Sequence, residues 1–292
     1  MKIKNIFKLT VALLLPLMFF SCDRNTDSLT ESQISIEPPI RSMLDIWLLD
    51  NFVKPYNIDI RYKFNESDND VARFLHGPFE SNVRPFAELL QKVWIEPYNA
   101  VGGENFIANI APREFVFSGG FNWNPGNPTI TLGFAEAGAR ITLFNLDFID
   151  FTILDFDNNL ISYVNPIKTV QHEYGHILNQ NVRVDINYGL ITKNGYTGQW
   201  FDFSLDVARS LGFITRYARN NENDDFVEMV SEMLIRPRAD YDAIINDIPS
   251  IDAQALLRQK EAMVVEYYIT NFNIDFYALQ ELTSQAVIDL QQ

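Results

Sequence analysis

The order of predicted elements along this 292-residue chain indicates an α+β fold. Short segments with the alternating or continuous apolar pattern of β-strands occupy its first half. After residue 166, nearly every apolar segment has the spacing of an amphipathic helix. Strands followed by helices, rather than alternating with them, predict a mixed sheet in the N-terminal half and a mostly helical C-terminal half.

The first half contains both helical and strand-like segments. The spacing of apolar residues predicts helices over 42–53 and 83–93. Alternation and β-rich composition predict strands over 58–64, 114–118, 129–134 and 140–146. The segment 119–128 is dense in Gly, Asn, Pro and aromatic residues, which predicts a hairpin connection. Trp123 in this connection is a weaker candidate for ligand binding.

The second half is predicted to contain five helices. The first begins near Pro166, because proline suits the first turn of a helix, and it carries apolar groups at Val170, Tyr174 and Ile177. The other four helices are predicted over 203–216, 226–235, 252–268 and 276–290.

The N-terminus has the pattern of a bacterial lipoprotein signal peptide. Three lysines precede an apolar segment, 9–20, that is too short to span a bilayer comfortably. Cys22, the only cysteine of the chain, stands where a lipoprotein peptidase cuts and where lipid is attached. We therefore expect residues 1–21 to be removed and Cys22 to be lipidated. A simple secretory signal is the alternative interpretation.

The rest of the chain is predicted to form one anchored domain. Residues 22–38 are rich in polar residues and read as a flexible tether, which is followed by a single domain over 39–292. The net charge is −15, and removing residues 1–21 takes away three lysines and no acid, which gives −18. Such an acidic surface repels phosphates, so a nucleic-acid partner is excluded.

The clearest chemical signal is the H-E-x-x-H motif His172-Glu173-Tyr174-Gly175-His176. Two imidazoles four residues apart lie on one face of a helix, where they can bind one Zn²⁺ through two nitrogens. Glu173 lies close to the metal without being forced to bind it, so it can take a proton from a metal-bound water. The chain has three histidines, and two of them are in this motif. A surface helix with two solvated histidines is the alternative.

Gly175 lies inside the motif helix, where glycine costs about 1 kcal/mol relative to alanine. One interpretation is that the missing Cβ lets another element approach the metal closely. A glycine that the helix merely tolerates is an equally good interpretation.

A catalytic zinc site requires a third protein ligand and one position left for water. The remaining histidine, His76, lies far upstream, so we expect a carboxylate. The best candidates lie in 223–234, which reads as an amphipathic helix that begins near Asn223 to Asp225. Glu228 and Glu232 share one face of it. We predict that Glu228 binds the metal and that Glu232 hydrogen-bonds a ligand histidine.

Alternatives remain open for both glutamates. Asp225 and Glu228 have the spacing of a capping box, in which Glu228 only satisfies a backbone N–H. Glu232 and Arg236 have the spacing of an ordinary surface salt bridge. Three acids between the two segments are weaker metal candidates: Asp185, Asp202 and Asp206.

The metzincin arrangement is excluded by two positions. It needs a glycine three residues and a histidine six residues after the second histidine ligand. Asn179 and Val182 occupy these positions.

Three features together carry a resemblance to a known family: the lipobox that ends at Cys22, the motif 172–176, and the D-F-x-E-M-x-S-E pattern of 225–232. The chain resembles the zinc metallopeptidase lipoproteins of Bacteroidetes, also described as substrate import-associated zinc metallohydrolase lipoproteins. The resemblance implies a zincin-like fold, an outer-membrane location, and partnership with a TonB-dependent importer and its nutrient-binding lipoprotein.

The acids are also similar in pattern to those of gluzincins. There, a helix after the motif supplies a glutamate ligand and an acid one turn later. This implies Glu228 as ligand and Glu232 as its supporting acid, although the family often has aspartate at the latter position.

The chemistry predicted from these residues is metal-assisted hydrolysis of a peptide bond. Glu173 acts as the base, and Tyr217 is a candidate donor to the oxyanion, with a core tyrosine as the alternative. As in zincins, an edge strand beside the motif helix is expected to bind extended peptide, and 140–146 is the candidate. Two other functions stay open: hydrolysis of a non-peptide bond such as a glycan-linked amide, and substrate binding without turnover.

Overall fold

The computed structural model describes residues 41–68, 73–136, 138–157 and 159–291. Cys22, the signal peptide and the tether predicted over 22–38 lie outside these residues. Within the described part of the chain, no helix combines the length and the apolar character needed to cross a membrane.

The described chain begins with a helical segment made of α1 (Met43–Leu48), a π-helical turn (Leu49–Val53) and α2 (Lys54–Tyr56). Ser42 and Asp45 form a capping box at its start, because each side chain accepts a hydrogen bond from the other residue's backbone N–H. The helix predicted over 42–53 is therefore confirmed, with one further turn.

A longer helical segment begins at Glu80. It consists of α3 (Glu80–Leu90), a π-helical turn (Gln91–Ile95) and α4 (Glu96–Gly102), and a short α5 (Phe106–Ile110) comes next. Two aromatic rings of this segment, Trp94 and Tyr98, each lie 5.1 Å from the ring of Tyr174. The helical segment, which includes the helix predicted over 83–93, thus packs against the motif helix through residues that follow the predicted range.

The main sheet has four strands in the order β1-β2-β6-β5. Their bounds are β1 Asp59–Arg61, β2 Glu114–Phe117, β5 Gly133–Glu136 and β6 Arg140–Leu143. The first three in spatial order are parallel, and β5 pairs antiparallel to β6 with Gly133 opposite Leu143. The sheet is therefore mixed, as the sequence predicts.

A second, two-stranded sheet pairs β3 (Asn122–Trp123) with β4 (Ile130–Thr131) in antiparallel fashion. The hairpin connection predicted over 119–128 is confirmed only in part, because β3 lies inside this segment and the connection to β4 covers 124–129. The single strand predicted over 129–134 is wrong, because the chain leaves β4 at Leu132 and joins the main sheet as β5.

The prediction that 140–146 is the edge strand is wrong. β6 lies between β2 and β5 and is hydrogen-bonded on both sides. The edge next to it is β5, which reaches that position because the short turn after Glu136 reverses the chain.

The second half is helical, as predicted. It contains α6 (Val164–Asn181), α7 (Asn187–Ile191), α8 (Leu205–Ser210), α9 (Glu222–Ile235), α10 (Arg238–Asn246), α11 (Ile251–Phe272) and α12 (Phe276–Asp289). Short 3-10 helices cover Trp200–Asp202 and Tyr217–Arg219. The α+β fold predicted from the sequence is confirmed.

The helix predicted over 203–216 is wrong for most of its length. Only Leu205–Ser210 is helical, because Gly212 has a φ of +82° that a helix does not contain. Phe213 and Ile214 are then buried as part of a loop. This loop carries Thr215, Arg216 and Tyr217 toward the motif helix.

Candidate metal and catalytic site

Helix α6 places the three motif side chains inside the protein. His172 and Glu173 are buried, and His176 is partly buried. The two imidazole rings lie on one face, with centroids 4.8 Å apart and planes at 79°. The i,i+4 spacing of the motif therefore produces the pair of neighbouring imidazoles that the sequence predicts.

Asp224, in the first turn of α9, completes a group of three possible metal ligands. Its Oδ1 lies 3.2 Å from Nε2 of His176 and 3.9 Å from Nε2 of His172. In the described part of the chain, these three residues offer ligand atoms that all lie within 4.8 Å of one another. Two imidazoles and one carboxylate are the three protein ligands expected of a catalytic zinc site, so the residues fit that metal.

The other oxygen of Asp224 holds the carboxylate in place. Oδ2 accepts hydrogen bonds from the side-chain amides of Asn220 at 2.6 Å and Asn221 at 2.7 Å. Asn221 is also the N-cap of α9, because its own side-chain oxygen accepts from two backbone N–H groups of the first turn. The cap thus fixes both the helix start and the direction in which Oδ1 points.

The charge state of Asp224 suits a metal ligand. Burial acts to raise the pKa of Asp224, but a hydrogen bond with His176, another with Asn220 and the two imidazole charges outweigh it. The result is a pKa below the usual range. The carboxylate is therefore ionised at neutral pH and able to coordinate a cation.

Glu228 contacts the opposite side of the His172 ring. Its Oε1 lies 2.8 Å from Nδ1 of His172, and its Oε2 accepts hydrogen bonds from Thr215 Oγ1 at 2.6 Å and Lys168 Nζ at 3.2 Å. Both oxygens are thus engaged away from the Nε2 atoms. Glu228, which we expected to be the third ligand, is not in the group of possible ligands; Asp224, one turn earlier, lies beside the two Nε2 atoms instead.

Glu232 also differs from its expected contact. Its carboxylate lies 2.6 Å from Lys168 Nζ and 2.9 Å from Arg236 Nε. It supports the site through Lys168 and Glu228 instead of hydrogen-bonding a histidine. The pair with Arg236 that the sequence suggested is present, but both of its side chains are buried.

The contacts between α6 and α9 follow one register. His176 faces Asp224, His172 faces Glu228, and Lys168 faces Glu232. From one contact to the next, the residue on α6 is four positions earlier and the residue on α9 is four positions later. The two helices are therefore antiparallel, and their charged faces match. Gly175 makes the close approach possible, because a Cβ there would lie 2.9 Å from Cγ1 of Val227.

Lys168 is a buried cation between two acids. Burial acts to lower the pKa of Lys168, but the charges of Glu228 and Glu232 raise it above the usual range. The same interactions, led by Lys168 and then His172, overcome the effect of burial on Glu228 and lower its pKa. This cluster therefore keeps its charges at neutral pH.

Tyr217 lies at the site, as predicted. Its ring centroid is 5.6 Å from that of His172 and 5.0 Å from that of Trp200. Burial raises the pKa of Tyr217, and the charges of Asp224 and Glu228 raise it further. The phenol is therefore protonated at neutral pH and can donate a hydrogen bond.

An open cleft of about 540 Å³ gives access to this side of α6. One wall is the hairpin segment Ile130–Gly133, and the other contains Trp200, Phe201 and Tyr217. His172 and Glu173 line its floor. A substrate in this cleft contacts the motif face directly.

The weaker acidic candidates do not join the group. Asp185, Asp202 and Asp206 are exposed and lie outside the ligand cluster of the described chain. His76 sits elsewhere, with Nδ1 3.7 Å from Asp147. Sequence reasoning missed Asp224, Lys168 and Thr215. A signal for Asp224 and Lys168 was available in the sequence. Lys168, His172 and His176 are spaced four residues apart, as are the three acids at 224, 228 and 232.

An H-E-x-x-H helix, a carboxylate from a following helix and an adjacent cleft are the features of a zincin-like metallopeptidase fold. The chain belongs to the family described as "Putative zinc-binding metallo-peptidase", whose model matches residues 38–277. A crystal structure of a protein with the same description, from Bacteroides caccae, is similar at 27% sequence identity and a TM-score of 0.68. The similarity covers 84% of this chain and 92% of that one. Comparison with curated proteins found no match.

Proposed function

We propose that this protein is a zinc-dependent peptidase whose metal is held by His172, His176 and Asp224. The observation that carries the proposal is the convergence of three possible ligand atoms within 4.8 Å of one another, in a group whose member His172 lines an open cleft together with Glu173. Zinc bound at such a site supplies Lewis acidity, which activates water near neutral pH and polarises a carbonyl group.

The surrounding side chains have separate tasks. Glu173 is buried and directly follows His172 in the sequence. It accepts the proton of the attacking water and returns it to the leaving amine. Glu228 accepts a hydrogen bond from Nδ1 of His172, which leaves Nε2 as the nitrogen free to bind metal. Tyr217 donates a hydrogen bond to the oxyanion that develops on the substrate carbonyl.

The substrate is proposed to bind as an extended peptide along β5. Within the described residues, β5 pairs with β6 on one side and is the last strand of its sheet on the other. Its first residue, Gly133, also lines the cleft. Strand addition to such an edge supplies backbone hydrogen bonds while the scissile bond lies over the motif face.

The location is proposed from the N-terminal pattern. Lipidation at Cys22 would hold the domain at the outer membrane, where partnership with a nutrient importer and its binding lipoprotein would place peptides near uptake. Metabolic labelling with a palmitate analogue should tag the wild-type chain, whereas the Cys22→Ala chain should remain untagged. Equal labelling of both chains would contradict the anchor.

The test of activity uses the zinc-loaded chain and denatured protein as substrate, with products identified by mass spectrometry. We expect cleavage that a chelator abolishes and that added zinc restores. Glu173→Gln should retain zinc and lose about 10²–10⁴-fold in rate, because the amide cannot accept the proton. Zinc binding without any cleavage would favour substrate binding without turnover. Cleavage of glycan-linked amides but not of protein would favour hydrolysis of a non-peptide bond.

A further inference from the structure

The cleft contains two cationic side chains, Lys168 and Arg216. Lys168 forms ion pairs within the protein, since its Nζ lies 2.6 Å from Glu232 and 3.2 Å from Glu228. Its side chain is only 13% exposed. Lys168 therefore neutralises the acids behind the site and is not available to a substrate.

Arg216 is in the opposite situation. Its side chain is exposed at the cleft, and no acid of the described chain forms an ion pair with it. Other cations of the described residues, such as Arg183 and Lys193, also form no ion pair, but they do not line the cleft. An arginine without an internal partner, in a protein with an excess of acids, is free to pair with an acid from outside.

The backbone holds Arg216 beside the reacting groups. The preceding residue, Thr215, donates a hydrogen bond to Glu228, and the following residue, Tyr217, packs against His172. The carbonyl of Arg216 accepts a hydrogen bond from the Arg219 N–H, which begins the short 3-10 helix. Arg216 is thus anchored on both sides by residues that contact the site, while its guanidinium extends from this fixed point.

The neighbouring wall favours a strong interaction with a carboxylate. Trp200 and Phe201 line the same cleft and exclude part of the water around an ion pair formed there. A guanidinium presents a planar set of donors that matches both oxygens of a carboxylate. An ion pair with these properties is stronger than one on an open surface.

We propose that Arg216 forms an anion subsite that binds a substrate carboxylate next to the scissile bond, so that acidic peptides are preferred. The proposal rests on the proposed peptidase function and names its substrate class. The carboxylate can come from an Asp or Glu side chain or from the C-terminus of a short peptide. Because Lys168, the other Lys or Arg that lines the cleft, is already paired with Glu228 and Glu232, the preference should depend on Arg216.

The first experiment measures binding, so that it does not depend on turnover. The zinc-loaded Glu173→Gln chain is titrated into fluorescent peptides that are identical except for Asp or Asn at one position at a time. We expect at least one acidic peptide to bind about 10- to 100-fold more tightly than its neutral partner. Arg216→Gln added to this background should abolish the difference, and Arg216→Glu should reverse it in favour of a matched Lys peptide.

Arg183→Gln is the matched control, because Arg183 is an exposed arginine that does not line the cleft. It should leave the difference unchanged. Equal binding of acidic and neutral peptides, or an acidic preference that survives Arg216→Gln, would overturn the proposal.

The two sources of carboxylate are distinguished by amidating the peptide C-terminus. A preference for internal Asp that survives amidation identifies a side-chain subsite, whereas a preference lost on amidation identifies recognition of the C-terminus. A charge preference in binding, with no cleavage by the wild-type chain, would refute the peptidase function and leave the anion subsite standing.

Discussion

Oε1 of Glu228 lies 2.8 Å from Nδ1 of His172, while Nε2 of the same ring faces Asp224 at 3.9 Å. One imidazole thus contacts two acids of α9 that are four residues apart. The two contacts have different consequences, because only the acid on the Nε2 side lies beside His176 as well. The acid on the Nδ1 side fixes the ring's orientation and the position of its proton.

We predict that Asp224→Ala lowers zinc occupancy far more than Glu228→Ala does. Loss of Asp224 removes one of the three proposed ligands, whereas loss of a partner that orients a ligand costs about 10- to 100-fold in affinity or activity. The measurement is zinc per chain after dialysis against a weak chelator, with circular dichroism as the control for folding.

Asp206→Ala is the matched control for that comparison, because Asp206 is exposed and lies outside the ligand cluster. It should retain full zinc. If folded Asp224→Ala also retained full zinc while Glu228→Ala lost it, the ligand would be Glu228, as the gluzincin-like pattern suggested.

The sequence predicted the ligand helix but not the ligand, for a physical reason. Three acids on α9, at 224, 228 and 232, repeat every four residues and all face α6. Which of them reaches the two Nε2 atoms depends on the register between the helices. That register is set by packing at Gly175 and Val227, a contact between residues 52 apart in the chain.

In the rest of the fold, too, features set by local sequence were predictable, whereas features set by contacts between distant residues were not. Helices such as Phe276–Asp289 were predictable because their spacing and caps are local signals. The order of strands was not, because β5 joins the sheet beside β6 through pairing that the composition of neither strand specifies. The sequence therefore predicted four strand-like segments but chose the wrong one as the edge.

We predict that Gly175→Ala destabilises the protein by about 1 kcal/mol. Alanine favours the helix by about 1 kcal/mol, but its Cβ would lie 2.9 Å from Cγ1 and 3.2 Å from Cβ of Val227, and such overpacking costs about 1–3 kcal/mol. Chemical unfolding of the single variants and of the double variant with Val227→Ala should give a coupling of about 0.5–3 kcal/mol.

The sign of that coupling is the decisive result. Val227→Ala should cost less in the Gly175→Ala background than in the wild type, because it removes the 2.9 Å contact with Cγ1 as well as the packing. Strictly additive effects would show that the two helices adjust without strain. The close approach would then not explain the glycine.

We predict that Lys168→Met destabilises the fold by about 3–5 kcal/mol, because it leaves Glu228 and Glu232 buried without their shared cation. Glu232→Gln in the same chain should recover part of this loss, since it removes one of the uncompensated charges. Unfolding in urea measures the stability, and the exposed Lys193→Met serves as control. A Lys168→Met chain as stable as the wild type would contradict the charge balance inferred for this cluster.

The last prediction concerns Lys260 and Asp225, a buried ion pair behind the site. Nζ of Lys260 lies 2.6 Å from Oδ2 of Asp225 and donates to the carbonyl of Gly212 at 2.8 Å, and both side chains are fully buried. Burial lowers the pKa of Lys260 and raises that of Asp225 to about 6, while the opposite charges counteract both shifts. Lys260→Met should therefore cost about 3–5 kcal/mol, because a buried carboxylate loses its cation.

The pH dependence distinguishes this cause from a simple loss of packing. Without Lys260, the native pKa of Asp225 rises further above its unfolded value, so the native state holds a proton that the unfolded state releases. Stability of Lys260→Met should then fall as the pH rises from about 4 through that native pKa. Urea unfolding of the metal-free chain at pH 5 and pH 8 measures the effect, with Lys193→Met as control. Asp225→Asn combined with Lys260→Met should remove the extra loss at pH 8, and a deficit of equal size at both pH values would rule out the uncompensated charge as its cause.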